Sequence, residues 1–201
     1  MESHSVKIVA TGIANIASLQ GAFRRLGVDS ALVEDPEVVA SERLVVLPGV
    51  GAFGAGMERL RTSGLEEAIC HRLATGKPLL SVCLGLQLLC RSSEESPGVE
   101  GLGVIDAPVV RFTTSHRIPQ LGWNRVEAPM GARYLTSGFA YFANSFCVRD
   151  LSGVDAVATA EYGHSFVAAF ERGDLLACQF HPELSGAYGA GLLQRWVERA
   201  G

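Results

Sequence analysis

Cys83 is the residue of this sequence best placed to act as a nucleophile. It follows an apolar run at residues 79–82 and precedes Leu84 and Gly85, which open a predicted helix over residues 84–91. A sharp strand-to-helix turn exposes a side chain, and the positive end of the helix favours a thiolate. The backbone N–H of Leu84 can then donate to an oxyanion. The segment alone is equally compatible with a buried structural cysteine.

His181 and Glu183 supply the acid–base groups that a cysteine nucleophile needs. His181 follows the apolar run 175–180 directly, and Glu183 lies two positions further on, beyond Pro182. Because parallel strands bring their carboxyl ends to one edge of a sheet, His181 can meet Cys83 there. Glu183 can accept a hydrogen bond from the far imidazole nitrogen and orient the ring. The alternative is a strand-end histidine bonded to a backbone carbonyl, with Glu183 capping the next helix.

A glycine-rich loop follows the predicted strand over residues 44–47. Gly49, Gly51 and Gly54 spell G-x-G-x-x-G, the pattern of a dinucleotide-binding turn. Pro48 separates the strand from the glycines, and no strand-end acid stands about 20 positions later, so a nucleotide site is the less favoured interpretation. A backbone N–H of this loop, such as that of Gly51, directed at an oxyanion accounts for the glycines better.

The elements that must position these residues alternate between apolar runs and helical patterns. Strands are predicted at residues 6–10, 44–47 and 79–82, and helices from the N-cap Asn15 to Gly27 and over residues 65–73. The second half is richer in strands, at residues 109–110, 141–142, 154–158, 166–170 and 175–180, and ends in a helix over residues 188–198. We therefore predict one α/β domain over residues 1–201, with a mostly parallel sheet between helices and an antiparallel extension.

Composition and charge exclude several classes of function. Of 201 residues 48% are hydrophobic and 19% charged, which supplies a buried core, and the net charge of -4 argues against nucleic-acid binding. Five cysteines without C-x-x-C spacing indicate reduced cytosolic thiols. We expect no metal, no cofactor, no signal peptide and no membrane anchor, and a cytoplasmic location.

Together these motifs resemble the class I (triad) glutamine amidotransferases. The likeness rests on Pro48-Gly-Val-Gly51, on Cys83-Leu-Gly-Leu-Gln87 and on Phe180-His181-Pro-Glu183, and it extends over nearly the whole chain. Residues 47–54, 83–95, 122–124 and 161–163 bring it closest to the members that supply ammonia for histidine biosynthesis. The resemblance implies a three-layer fold and hydrolysis of L-glutamine.

The resemblance also implies a role for individual residues. Cys83 would form a thioester with glutamine, while His181 would act as base and then as acid, oriented by Glu183. Gly51 and Leu84 would donate to the oxyanion, and Gln87 would help to hold the glutamine. The other residues expected at this binding site are Gly49, Ser145 and Phe146.

A partner protein is implied as well. Ammonia would pass to a (β/α)₈-barrel cyclase subunit in a heterodimer, giving imidazole glycerol phosphate and an aminoimidazole ribonucleotide. Asn15, Trp123 and Asn124 would lie at this interface. The free subunit is expected to be nearly inactive until the partner completes the oxyanion hole by rotating a peptide near Val50 and Gly51.

Four segments depart from the family pattern. Residues 10–15 read Ala-Thr-Gly-Ile-Ala-Asn instead of Asp-Tyr-Gly-x-Gly-Asn, Ser81 replaces glycine, Asn144 stands in a stretch that often carries histidine, and Leu184 replaces lysine. Three alternatives therefore stay open: a paralogue that feeds another barrel, such as one aminating a surface-sugar precursor; a non-catalytic subunit that stabilises its partner; and a stand-alone cysteine hydrolase. The loss of lysine at position 184 predicts a more apolar partner contact.

Overall fold

The computed structural model describes residues 5–11 and 15–200. Twelve strands lie within these ranges: β1 Ser5–Val9, β2 Asp29–Val33, β3 Leu44–Gly49, β4 Leu79–Cys83, β5 Cys90–Ser93, β6 Ile105–Arg111, β7 Gln120–Val126, β8 Gly138–Asn144, β9 Phe146–Val148, β10 Ala156–Glu161, β11 Ser165–Arg172 and β12 Leu175–Cys178. The helices are α1 Ile16–Arg25, α2 Pro36–Ser41, α3 Phe53–Thr62, α4 Leu65–Ala74, α5 Leu84–Leu88 and α6 Gly186–Arg199, with a 3₁₀ turn at Pro182–Leu184.

A seven-stranded sheet forms the centre of the molecule, in the order β10-β11-β12-β4-β3-β1-β2. The strands from β12 to β2 are parallel, while β11 and β10 add an antiparallel edge. One apolar cluster packs α1 and α6 against the sheet, and the other packs α2 to α5 against its opposite face. The predicted α/β class, with its parallel centre and antiparallel extension, is confirmed.

Two smaller sheets lie outside the central one. Strands β5, β6 and β9 form the first, and β7 and β8 form an antiparallel hairpin. The hairpin pairs Gln120 with Asn144 at one end and Val126 with Gly138 at the other. Its inner face contributes Val126, Ala140 and Phe142 to the core. On its outer face Leu121, Trp123 and Phe139 are exposed, so this chain does not cover that face.

Several predicted elements are confirmed, and one is wrong in extent. Asn15 caps α1 by accepting from the backbone N–H of Ser18, as predicted, and Gly27 follows that helix with φ 71°. The helix after Cys83, predicted over residues 84–91, ends at Leu88, because the chain turns into β5 at Cys90. Of the departures at positions 10, 11 and 14, the one at position 14 lies outside the described residues.

Candidate active site

Cys83 sits at the junction of β4 and α5 in a backbone conformation that side chains rarely adopt. Its φ is 55° and its ψ is −111°, and it is the non-glycine residue with positive φ in the described part of the chain. Gly85 makes this turn possible, because a Cβ there would lie 2.1 Å from the carbonyl oxygen of Leu47. The start of α5 therefore lies directly against β3 of the central sheet. Such a turn holds a side chain above the sheet edge at some cost in strain.

His181 and Glu183 approach Cys83 from the neighbouring strand. β12 pairs with β4 in parallel, with Cys178 opposite Val82, so the residues after β12 reach the same sheet edge as Cys83. Nδ1 of His181 lies 2.9 Å from Oε1 of Glu183, and both side chains are buried. The structure thus brings the three predicted residues together on adjacent parallel strands.

The turn that carries His181 is tightly held. The backbone N–H of His181 donates to Tyr141 on β8 at 2.9 Å, and the Ser185 hydroxyl donates to the carbonyl of His181 at 2.6 Å. The same hydroxyl accepts from the backbone N–H of Tyr141 at 2.9 Å. Ser185 therefore links the histidine turn to the hairpin and restricts the position of the imidazole.

Electrostatics favour a charged imidazole in this position. Burial by itself would lower the pKa of His181, but hydrogen bonding to Cys83 and Glu183, reinforced by their negative charges, raises it to about 10. These interactions favour the protonated form of His181 beside the sulfur of Cys83. A hydrogen bond and an opposite charge both stabilise an imidazolium against a thiolate.

The remaining four cysteines lack this environment. Burial raises the pKa of Cys90 and of Cys147 to about 12 and also raises the pKa of Cys70 and Cys178. All five cysteines are free thiols, and Cys147 lies 3.9 Å from Nε2 of His164. A buried thiol with a raised pKa is a poor nucleophile at neutral pH, so this second cysteine–histidine contact is not a competing site.

A cavity of about 340 Å³ opens beside Cys83. Most residues expected to bind the substrate or oxyanion line it; the lining consists of Val50, Gly51, Cys83, Leu84, Gln87, Glu95, Pro119, Ala143, Asn144, Ser145, Phe146 and His181. Gly51 has φ 99°, a backbone conformation that glycine adopts readily and that residues with a Cβ rarely adopt. Gly49 is buried instead, where a Cβ would lie 2.9 Å from Cβ of Leu84. The structure therefore gives Gly49 a packing role.

Gln87 and Asn144 hold the wall of this cavity. Nε2 of Gln87 donates to the carbonyl of Phe146 at 3.2 Å, and Nδ2 of Asn144 donates to the same oxygen at 3.0 Å. The amide nitrogen of Gln87 is thus engaged by the protein itself. Oδ1 of Asn144 is buried without a hydrogen-bond partner among the described residues.

Glu95 and Gln179 are site residues that the individual motifs did not predict. Oε2 of Glu95 accepts from the backbone N–H of Phe53 at 2.7 Å, and the carboxylate faces the cavity. Nε2 of Gln179 lies 3.7 Å from Sγ of Cys83. Glu95 lies in a turn-rich segment that reads as solvent-exposed loop, and Gln179 lies in an apolar strand run. Only the sheet register, which places the end of β12 beside Cys83, could have drawn attention to Gln179.

The residues predicted to meet a partner are placed differently from one another. Trp123 lies on the outer face of the hairpin with 58% of its surface exposed. Nδ2 of Asn124 donates to the carbonyl of Glu161 at 2.8 Å, so this side chain is used within the chain. Asn15 is exposed and caps α1.

Ser81 is buried and its hydroxyl has no partner among the described residues; nothing in the structure explains the hydroxyl.

Neither a metal centre nor a membrane span is found in the described part of the chain. Across residues 5–11 and 15–200, no three His, Cys, Asp or Glu side chains are grouped to hold a metal ion. No helix within the same ranges is long and apolar enough to cross a bilayer.

A buried cysteine paired with a histidine and a carboxylate can break an amide bond through a thioester, which defines a thiol-dependent amidohydrolase. The family model described as "Glutamine amidotransferase class-I" matches residues 8–199. This chain belongs to the class-I glutamine amidotransferase family.

Curated relatives extend this likeness over almost the whole chain. The imidazole glycerol phosphate synthase subunit HisH of Symbiobacterium thermophilum is 39% identical over 195 residues, covering 95% of this chain and 92% of that protein. HisH of Methanothermobacter thermautotrophicus is 38% identical, covering 96% and 98%. The chloroplastic hisHF protein of Arabidopsis thaliana is 37% identical over 96% of this chain but only 34% of its own length.

Solved structures show the same fold at lower identity. A crystal structure of a glutamine amidotransferase superposes with a TM-score of 0.76 at 24% identity, covering 96% of this chain and 97% of that chain. PurLQS from Thermotoga maritima gives a TM-score of 0.74 at 15% identity, covering 98% of both chains. These structures support the fold of the chain.

Proposed function

We propose that this chain is the glutaminase subunit of an imidazole glycerol phosphate synthase and hydrolyses L-glutamine to glutamate and ammonia. The placement of Cys83, His181 and Glu183 beside one cavity carries this proposal, together with identities of 38% and 39% to curated HisH subunits. The ammonia is used by a partner cyclase in histidine biosynthesis, where it yields imidazole glycerol phosphate and an aminoimidazole ribonucleotide. All the residues involved belong to one amidotransferase domain.

In the first half of the reaction, the Cys83 thiolate attacks the side-chain amide carbon of glutamine. A C–S bond forms, and the carbonyl electron pair moves to oxygen, where the backbone N–H groups of Leu84 and Gly51 stabilise it. Protonated His181 then gives its proton to the leaving nitrogen. The C–N bond breaks, ammonia departs and a γ-glutamyl thioester remains on Cys83.

In the second half, His181 is neutral and acts as a base. It removes a proton from water, whose oxygen attacks the thioester carbonyl, and the C–S bond breaks to release glutamate. The proton retained by His181 restores the imidazolium beside the Cys83 thiolate. Glu183 holds Nδ1 of the imidazole throughout, so that Nε2 faces the reacting atoms.

The cavity wall matches the charges of the substrate. Glutamine carries an α-ammonium group, and the Glu95 carboxylate supplies a negative charge for it at the cavity edge. Ser145 and Phe146 complete the wall beside Asn144. Gln87 contributes by fixing the carbonyl of Phe146 and not through its own N–H groups.

A partner docks, we propose, on the outer face of the hairpin. Leu121, Trp123 and Phe139 are exposed there to 60%, 58% and 59%, and Leu184, in the 3₁₀ turn that contacts β8, is exposed to 39%. We call these four residues together the apolar face. Leu121 is paired across the hairpin with Ala143, which lines the cavity, so the apolar face continues to the cavity wall. A (β/α)₈-barrel cyclase seated here would receive ammonia without its release to bulk water. Leu184 agrees with the expected apolar contact.

The test is glutamate release by the purified chain, with and without the cyclase subunit from the same genome. We expect slow release by the chain alone and a large increase with the cyclase, because the partner completes the oxyanion hole. Cys83→Ala should abolish release in both conditions. Cys90→Ala is the matched control, since Cys90 is a buried thiol outside the cavity, and it should retain activity. No release from well-folded wild-type protein with the cyclase would refute the proposal.

A further inference from the structure

Gln179 is fully buried directly beside the nucleophile. It follows β12 and lies next to Cys83, since Cys178 is in register with Val82 in the parallel pair of β12 and β4. Its backbone N–H donates to Ala168 at 2.8 Å, which fixes the main chain. Its Nε2 atom lies 3.7 Å from Sγ of Cys83. A polar side chain at this depth must satisfy its hydrogen bonds locally.

The orientation of this amide follows from a neighbouring carbonyl. The carbonyl oxygen of Phe146 can only accept, so the group of Gln87 that faces it at 3.2 Å must be the NH₂ group. The same NH₂ group lies 2.9 Å from the side chain of Gln179, which must therefore present Oε1 to it. Consequently the NH₂ group of Gln179 faces Cys83. The direction of donation runs from Gln179 to the sulfur.

We propose that Gln179 is a further catalytic residue, which donates a hydrogen bond to Sγ of Cys83 and stabilises the thiolate, and that Gln87 is a positioning residue that acts through it. The proposal rests on the proposed glutaminase function, since it concerns the same nucleophile. Hydrogen bonding to the charged form of a group favours that form. The donor matters more here because α5 has only five residues, so the helix supplies a smaller dipole than a long one would.

The hydrogen bonds through Gln179 and Gln87 also connect the nucleophile to the wall of the cavity. The Phe146 carbonyl that orients Gln87 also accepts from Asn144, and both residues line the cavity. A shift of the Phe146 peptide would therefore remove the acceptor that fixes Gln87 and, through Gln87, the amide of Gln179. The structure thus connects the position of the cavity wall to the donor on the sulfur.

The test measures alkylation of Cys83 by iodoacetamide in the full chain over a range of pH, read by mass spectrometry of the Cys83 peptide. Gln179→Met keeps the length of the side chain and removes its donor. We expect the midpoint of the pH–rate profile to move upward by roughly one pH unit or more, since a hydrogen bond to a charged group contributes about 1.5–3 kcal/mol. Gln120→Met is the matched control, because Gln120 is a buried side-chain amide outside the cavity lining.

A second variant covers the case in which Gln179→Met fails to fold. Gln179→Glu keeps the shape and the acceptor for Gln87 but replaces the donor with a negative charge beside the sulfur, so we expect a larger upward shift. A profile in folded Gln179→Met or Gln179→Glu that matches both wild type and Gln120→Met would overturn the proposal. Because alkylation needs neither glutamine nor the cyclase, this result is independent of whether the glutaminase proposal fails.

Discussion

At the scale of single residues, the backbone at Cys83 explains why the nucleophile stays in place. Residues with positive φ and a side chain are strained by about 1–3 kcal/mol, and Cys83 has φ 55°. The surrounding structure offsets this cost, because Gly85 lets α5 start close against Leu47 and the apolar side chains around the turn are buried. This packing keeps the sulfur at the cavity, where His181 and Gln179 reach it.

The raised pKa of His181 gives a direct prediction about Cys83. Since hydrogen bonding to Cys83 is the first of the effects that raise this pKa to about 10, Cys83→Ala should lower it. The imidazole would then be released to titrate closer to neutral pH, because burial and Glu183 alone oppose each other. NMR titration of the His181 side chain in both proteins measures this. An unchanged titration of His181 in Cys83→Ala would mean that the two side chains do not interact.

The sequence predicts the reactive residues better than the residues that support them. Cys83, His181 and Glu183 are visible from residue type and spacing, because few side chains can serve as nucleophile, base and orienting acid. The same criteria do not identify Gln179, because an amide next to a phenylalanine has no chemical signature of its own. Its importance follows from strand register and from the carbonyl of Phe146, which are properties of the folded chain.

At the scale of elements, α6 holds the turn that carries His181 and Glu183. Gly189 lies against this turn, where a Cβ would come within 1.9 Å of the carbonyl oxygen of Pro182. That oxygen belongs to the backbone, so it cannot move without displacing the two side chains. The closeness of α6 therefore determines where the imidazole sits relative to Cys83.

Gly189→Ala is expected to separate α6 from the histidine turn. We predict a loss of about 2 kcal/mol or more in the free energy of unfolding and a fall in glutaminase activity of at least tenfold. Gly191→Ala in the same helix is the control, because its Cβ would meet only the flexible end of Arg195 at 3.2 Å. There, the better helix propensity of alanine should leave stability equal or up to about 1 kcal/mol higher. Urea unfolding of both variants measures the change in the free energy of unfolding. Equal losses of this free energy in the two variants would contradict the role given to Gly189.

Glycine content explains why the sequence does not predict α3. The glycine-rich stretch after β3 is typical of a loop, yet the helix begins at Phe53. Gly56 lies in that helix because a Cβ there would come within 3.1 Å of Leu88 on α5. Gly56 therefore marks a place where two helices pack closely. At Gly51 the same residue type marks a positive-φ position instead, and local sequence does not distinguish the two uses.

At the scale of the whole molecule, the chain leaves the outer face of the hairpin bare. An exposed, contiguous apolar surface indicates an interaction site, and the apolar face combines residues of β7, β8 and the 3₁₀ turn. Trp123 packs edge to face on Tyr141 with the ring centroids 6.3 Å apart, so its ring is held outward before any partner arrives. A preorganised aromatic side chain loses little conformational freedom on binding. The sequence predicts this hairpin poorly, because its strands carry apolar residues on the outer face as well as on the inner one. The usual alternation of apolar and polar residues, which marks a strand with one exposed face, is therefore lost.

Trp123→Ala tests whether the apolar face receives the cyclase. Buried tryptophans at interface centres contribute about 2 kcal/mol or more, so the dissociation constant should rise by roughly 30-fold or more. Met130→Ala is the matched control, since Met130 is fully exposed in the loop that joins β7 to β8, at the end of the hairpin away from the cavity. It should change the dissociation constant by less than about twofold, as rim contacts do. Calorimetric titration of the cyclase into each variant measures both values. If Trp123→Ala binds as tightly as Met130→Ala, the cyclase docks elsewhere, and the exposed aromatic residue needs another explanation.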